Sequence, residues 1–339
     1  MDSLKWERNS EHMREFFRLQ PAYEQLIEEV SFTIKSRLNH SGIEFAHIAQ
    51  RVKSPESFLE KIDRERYQDP IREITDLAGV RLVFLYLDDL PAIEAMIRKA
   101  FIVDEKVNKE SVDIDKFGYL AKHYIVKVRK SVAGERYTHL KDLKCEIQVR
   151  TAIQDAWAIL SHHLMYKKEK DVPKFLKRRI HQLAAVLENA DQQFNDIEEK
   201  RRGYRATLEN PKTPLRELLK EKTNKDSVVA FLRRKFPKME ISVSDTHFAT
   251  VFEHLNIDGY PTIKSLNDIL TKTQEVRKLY TRDVMSNMSL AHLAVALGCT
   301  DSEYRKATPF GENAKEVIAE FIASKPRAQK VTKKKSKTI

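Results

Sequence analysis

Glu146, Gln148 and Arg150 occupy positions i, i+2 and i+4 of the run Glu146-Ile147-Gln148-Val149-Arg150-Thr151. Side chains alternate across a β-strand, so a strand here puts a carboxylate, an amide and a guanidinium on one face. An apolar-striped helix follows at once. A polar face in that setting is not a core face; it suits a site that handles a metal and phosphates. A second carboxylate, Asp76, lies in Thr75-Asp76-Leu77-Ala78-Gly79-Val80-Arg81, just ahead of a β-rich run from Val80 to Tyr86. Two carboxylates from neighbouring strands are the minimum for holding Mg²⁺ beside a nucleotide.

Cations and hydroxyls complete the set. Ser54 reads as an N-cap with Pro55 at the first helical position. Ser57 and Lys61 then share one helix face, with Arg51 and Lys53 on the approach to its N-terminus, a natural phosphate site. Arg81 follows Asp76. Gly118-Tyr119 and His123 close a polar loop, and His162 sits on the helix after Arg150. Singly, each has an ordinary reading: a solvated lysine, a half-buried strand tyrosine, a helix-surface histidine, a turn aspartate. Together, in this order and with these separations, the ordinary readings fail.

The elements that must position these residues form an α/β (α+β) pattern. Apolar residues Phe16, Leu19, Tyr23, Leu26, Val30, Ile34 and Leu38 recur at helical steps, predicting a helix over 10–50. A second helix runs from Pro55 to about Tyr67. Strands are expected at 80–86, 101–103, 119–128 and 143–151, with a polar loop over 104–117. Helices are expected at 91–99, 152–166 and 174–200, the last with Leu176, Ile180, Leu183, Leu187, Ala190, Phe194 and Ile197 on one stripe. The pattern fails around Arg201–Thr213, which places a domain boundary there. The expected organisation is therefore 1–203 as one domain, 214–323 as a mostly helical second domain with a short strand at 240–243, and 324–339 as a disordered basic tail.

Bulk properties narrow the class. Hydrophobic residues make up 41% of the 339, enough for a real core. No apolar run approaches the roughly 20 residues of a membrane span, and no signal-peptide pattern opens the chain, so a cytoplasmic protein with no membrane partner is expected. Two cysteines, Cys145 and Cys299, make neither a disulfide framework nor a zinc cluster. The net charge is +11, and seven Lys or Arg with no acid fall after Ser324. More than half of the excess is thus in the tail, which reads as solvated chain, with RNA contact as the lesser alternative.

The strings RVKSPESFLEK, DLAGVR, FGYLAKH and EIQVRTAIQDAWAILSHHLMYKK, in that order, resemble the synthetase domain of RelA/SpoT-type alarmone synthetases. The resemblance spans roughly residues 20–200. It implies a nucleotidyltransferase-like mixed sheet of about five strands flanked by helices. It also implies transfer of pyrophosphate from ATP to the 3′-hydroxyl of GTP or GDP, releasing AMP, with Mg²⁺ as cofactor. By resemblance, Asp76 and Glu146 are the catalytic and metal-binding carboxylates, and Arg51, Lys53, Ser57, Lys61 and Arg81 bind ATP. Gly118, Tyr119, His123, Gln148, Arg150 and His162 bind the acceptor, with Lys122 and Lys167 as further phosphate contacts.

Two departures bear on the acceptor. Many family members carry Asn-Gly-Tyr followed by Arg-Ser or Gln-Ser before the histidine, whereas this chain has Phe117-Gly118-Tyr119-Leu120-Ala121-Lys122-His123. The preceding KVNKESVDIDK lacks the usual proline-rich basic segment, and the family's His-Asp hydrolase motif is absent from the sequence. Toxic relatives that pyrophosphorylate the 3′ end of tRNA or an adenine nucleotide are the first alternative. A catalytically silent RNA-binding module is the second. A synthetase without a hydrolase calls for control, so an antitoxin or regulatory partner, or a homo-oligomer, is a further expectation.

Overall fold

The structure, a computed structural model, describes residues 3–65, 67–108, 121–129, 134–164, 173–239, 245–253, 255, 259–276 and 289–324. The chain divides into two units, Met1–Glu199 and Lys200–Ile339.

The first unit opens with α1 (Ser3–Arg8) and α2 (Ser10–Ser41). The predicted stripe of α2 is buried except for the half-buried Leu19, with Phe16, Leu26, Ile34 and Leu38 fully inaccessible. The helix stops well short of residue 50, however. Gly42 takes a left-handed φ of 70° as its C-cap, and β1 (Phe45–Val52) follows. Ser54 does cap α3 (Pro55–Glu65): its Oγ accepts the Ser57 amide at 3.2 Å and its carbonyl accepts the Phe58 amide at 2.9 Å. Asp69 then caps the single turn of α4 (Pro70–Glu73). Next come β2 (Ala78–Phe84), α5 (Leu90–Ala100), β3 (Phe101–Asn108), β4 (Lys122–Val128), α6 (Glu135–Thr138), β5 (Cys145–Thr151), α7 (Ala152–Leu164) and α8 (Lys174–Glu209). Strand β3 continues five residues beyond the expected Val103, passing a register shift between Val103 and Glu105.

The five strands form one mixed sheet in the order β1-β2-β5-β4-β3. β2 and β5 are parallel, and the other pairs are antiparallel. One face carries Ala78, Val80, Leu82 and Phe84 of β2, Cys145, Ile147 and Val149 of β5, and Tyr124, Val126 and Val128 of β4. These pack in one core with Phe16, Leu26 and Ile34 of α2, Phe58 of α3 and Ile93 of α5. Burial pushes the Cys145 thiol far above its ordinary pKa, so it behaves as a small apolar side chain. The opposite face is the polar one.

A capping box starts α7 where β5 ends. The Thr151 Oγ1 accepts the Gln154 amide at 3.1 Å, and the Gln154 Oε1 accepts the Thr151 amide at 2.8 Å. Thr151 also donates its hydroxyl to Asp191 on α8 at 2.7 Å. Trp157, Ile180 and Ala184 bury a small α7–α8 seam. Leu187 packs against this seam, but Leu183, Phe194 and Ile197 of the expected α8 stripe are 54–61% exposed.

The second unit is helical. Helix α8 runs to Glu209 instead of ending near residue 200, because Tyr204 and Leu208 pack into the second core and Arg201 pairs with Asp226 at 2.9 Å. It continues with α9 (Leu215–Leu218), α10 (Lys225–Lys235), α11 (Asp245–Glu253), α12 (Ile263–Lys272), α13 (Ser289–Thr300), α14 (Ser302–Ala307) and α15 (Glu312–Ser324). An Asn224/Ser227 capping box opens α10. Helix α13 is buried on nearly every side, the mark of a central helix. The expected strand at 240–243 and the basic tail lie outside the described residues. Among the described residues no helix is long and apolar enough to cross a membrane.

Candidate active site

Strand register brings the predicted residues to the polar face. Arg51 stands opposite Gly79 in β2, and Gly79 stands opposite Glu146 in β5. Arg81 is opposite Gln148, and Gln148 is opposite His123 in β4. Partners across a ladder share a face, so one row reads Arg51, Gly79, Glu146 and the next Ala49, Arg81, Gln148, His123. A cleft of about 260 Å³ opens on this face, lined by Arg51, Gly79, Arg81, Glu146 and Gln148 among others. A Cβ on Gly79 would meet only the Arg51 carbonyl at 3.6 Å, an ordinary contact. The glycine is therefore not forced by the sheet; what its missing side chain leaves is the floor of the cleft.

Three charged groupings involve or flank these strand residues. In the first, Asp76 accepts Lys53 Nζ at 2.8 Å and Lys61 Nζ at 3.0 Å. Burial alone would raise the Asp76 pKa, but the hydrogen bonds from Lys53 and Lys61 outweigh it and hold the carboxyl below its ordinary value. Lys53 reaches this place because its amide donates to the Leu77 carbonyl at 2.8 Å, extending the β1–β2 pairing past Val52. In the second, Glu146 lies 2.7 Å from His123 Nδ1 and accepts Gln148 Nε2 at 2.8 Å, while the Gln148 carbonyl oxygen accepts Arg150 at 3.1 Å. His123 is only 3% exposed and sits behind Glu146. In the third, Asp155 in the first turn of α7 faces Arg81 at 3.1 Å and Arg150 at 3.7 Å.

The carboxylates fit a divalent cation only in company. Among the described residues no three His, Cys, Asp or Glu side chains gather as a metal cage. Each carboxylate is already paired, Asp76 with Lys53 and Lys61 and Glu146 with His123 and Gln148, so a divalent cation at either would take its remaining ligands from substrate phosphates.

Not every expected residue joins this constellation. His162 is exposed in the last turn of α7 and is not among the cleft-lining residues. Lys122 pairs with Glu94 at 3.5 Å. Gly118, Tyr119 and Lys167 lie outside the described residues. Asp155 and the cleft-floor role of Gly79 escape the sequence reading, although both residues fall inside its quoted strings. Asp155 had one usable signal: it is the only side chain carrying a formal charge in AIQDAWAILSHHL.

Residues 50–171 match the family model described as "Region found in RelA / SpoT proteins". GTP pyrophosphokinase YjbM of Bacillus subtilis is 30% identical over 215 residues, covering 58% of this chain and 90% of that protein. GTP pyrophosphokinase YwaC of the same organism is 29% identical over 163 residues, covering 47% and 75%. The crystal structure of small alarmone synthetase 1 from B. subtilis is 28% identical, covers 56% of this chain and 98% of that one, and gives a TM-score of 0.46. Sequence and site arrangement agree: the chain belongs to the RelA/SpoT-type family of alarmone synthetases, the GTP pyrophosphokinases.

Proposed function

We propose that the protein transfers the β,γ-pyrophosphoryl group of ATP to the 3′-hydroxyl of GTP or GDP, forming (p)ppGpp and releasing AMP. The observation that carries this reading is the cleft in which Arg51, Arg81, Glu146 and Gln148 meet. A ribose hydroxyl is a weak nucleophile at neutral pH, and a carboxylate beside it takes its proton as the new O–P bond forms. Glu146 has that role, with His123 and Gln148 fixing its two oxygens. Arg51 lays its guanidinium plane on the adenine. Lys53, Ser57, Lys61 and Arg81 hold the ATP phosphates, so the lysines leave Asp76 for the nucleotide when it binds. Tyr119 and Gly118 take the acceptor base, while Gln148, Arg150 and His162 steady the acceptor and its phosphates. Asp76 and Glu146 would hold Mg²⁺, which would supply charge neutralisation at the triphosphate.

Self-association is part of the proposal. Leu160, Leu164, Phe175, Leu183, Phe194 and Ile197 on α7 and α8 are 54–67% exposed, an apolar display that monomers rarely leave open. Light scattering that returned a monomer at micromolar concentration would remove this part.

The test is label transfer. Protein, Mg²⁺ and γ-labelled ATP are offered GTP, GDP, ATP or deacylated tRNA in turn. Label moving to a guanine nucleotide with AMP release supports the proposal. Label moving only to tRNA or to an adenine nucleotide redirects it to the toxic branch, and no AMP with any acceptor overturns it.

A further inference from the structure

One buried carboxylate, packed against a cleft-lining arginine, has no part in the proposed reaction. Asp155 is 5% exposed. The Thr151–Gln154 capping box sets it in the first turn of α7. Its Oδ1 lies 3.1 Å from Nη1 of Arg81 on β2 and 3.7 Å from Nη1 of Arg150 on β5, and its Oδ2 lies 4.0 Å from Nε2 of His47 on β1. A single helix-borne charge thus bridges arginines of two neighbouring strands, β2 and β5. The two guanidiniums crowd each other: burial and then the Arg81 charge press the Arg150 pKa down, while Asp155 and Glu146 push it back up. Among the described residues neither the buried Nε of either arginine nor the Oδ1 of Asp155 has a hydrogen-bond partner, so charge pairing rather than directed bonds holds the three together.

By its charge alone Asp155 is unfavourable here. A carboxylate beside a phosphate site repels the nucleotide, so removing it should tighten binding. Its place makes sense only if what it does to the arginines outweighs that repulsion.

We infer that Asp155 is a positioning residue for pyrophosphate transfer: it holds Arg81 and Arg150 at a fixed separation, so that the ATP phosphates and the acceptor are presented to each other in register. The inference rests on the proposed function, in which Arg81 serves the donor and Arg150 the acceptor. Freed of their shared counter-ion, the arginines would swing apart, and both subsites would lose alignment together.

The sign of the effect separates positioning from mere charge. Full-length wild type, Asp155→Asn, Arg81→Ala and the double variant are compared for kcat, for KM of ATP and of GTP, for binding of the non-transferable α,β-methylene-ATP with Mg²⁺, and for melting temperature. Positioning predicts that Asp155→Asn lowers kcat about 10- to 100-fold with weaker analogue binding, the scale of loss that a misplaced reacting group produces. It also predicts that the double variant loses less than the sum of the two single losses, because part of the effect of Asp155 runs through Arg81. Tighter analogue binding with unchanged kcat, or strictly additive losses, would overturn it. Should Asp155→Asn not fold, Asp155→Glu keeps the charge and moves the carboxylate by one methylene. It should keep the melting temperature and lose kcat, and wild-type kcat in Asp155→Glu would overturn the inference. Failure of wild type to bind the analogue or to release AMP would instead remove the proposed function itself, a separate result.

Discussion

The two faces of the central sheet come from the same residues taken alternately. On β5, Ile147 and Val149 are 0% and 1% exposed and face α2, while Glu146 and Gln148 point the other way into the cleft and Arg150 shares their side of the strand. On β2, Val80 and Leu82 lie in the core and Gly79 and Arg81 at the site. The apolar face is held by packing, which falls off within a methyl group's width. The polar face is held by hydrogen bonds and shared counter-ions: Lys53 and Lys61 on Asp76, His123 and Gln148 on Glu146, Arg81 and Arg150 on Asp155. The lesson is a division of labour at single-residue resolution. Substitutions on one face should change stability and leave chemistry alone, and neighbours one residue away should do the reverse.

The largest effect expected on the polar face is that of Glu146→Gln. It keeps the shape and removes the base, so kcat for AMP release should fall by roughly 10²- to 10⁴-fold with little change in melting temperature. On the apolar face, Leu82→Ala should cost about 2–5 kcal/mol in chemical denaturation, with the folded fraction keeping the wild-type KM for ATP. Gly79→Val sharpens the comparison. Its β-carbon meets only ordinary contact, so the fold should survive, but its methyl groups fill the cleft floor and α,β-methylene-ATP binding should weaken about tenfold or more. The smallest effect is a pH dependence. The folded-state pKa of Asp76 is depressed, so its contribution to stability is present above the unfolded-state value, about 3.9, and is lost as pH falls through the lower folded value. The stability gap between wild type and Asp76→Asn at neutral pH should therefore close below about pH 4 in denaturation curves.

The polar face was legible in the sequence because strand periodicity is rigid. Once 143–151 reads as a strand, Glu146, Gln148 and Arg150 can only share a face. Strand β1 was not legible for the opposite reason: Leu38, Phe45, Ile48 and Val52 continue a three-, four- and seven-residue spacing straight through the end of α2, and Gly42 alone marks the break. Asp155 was hidden because its partners come from two strands, a coincidence that helical periodicity cannot display. The end of α8 was misplaced because Arg201-Arg202-Gly203 looks like a terminus until Tyr204 and Leu208 find their core. In the second unit, the sequence pattern predicts helices and one short strand that falls outside the described residues; which helix lies at the centre depends on packing partners far apart in the chain.

The most direct test of the division sets Glu146→Gln beside Leu82→Ala under one buffer. Two numbers are taken from each: the rate of AMP release with ATP and GTP per folded molecule, and the free energy of unfolding. The account predicts a crossed result, with Glu146→Gln losing turnover and keeping stability and Leu82→Ala losing stability and keeping turnover. Wild-type AMP release from Glu146→Gln would contradict it.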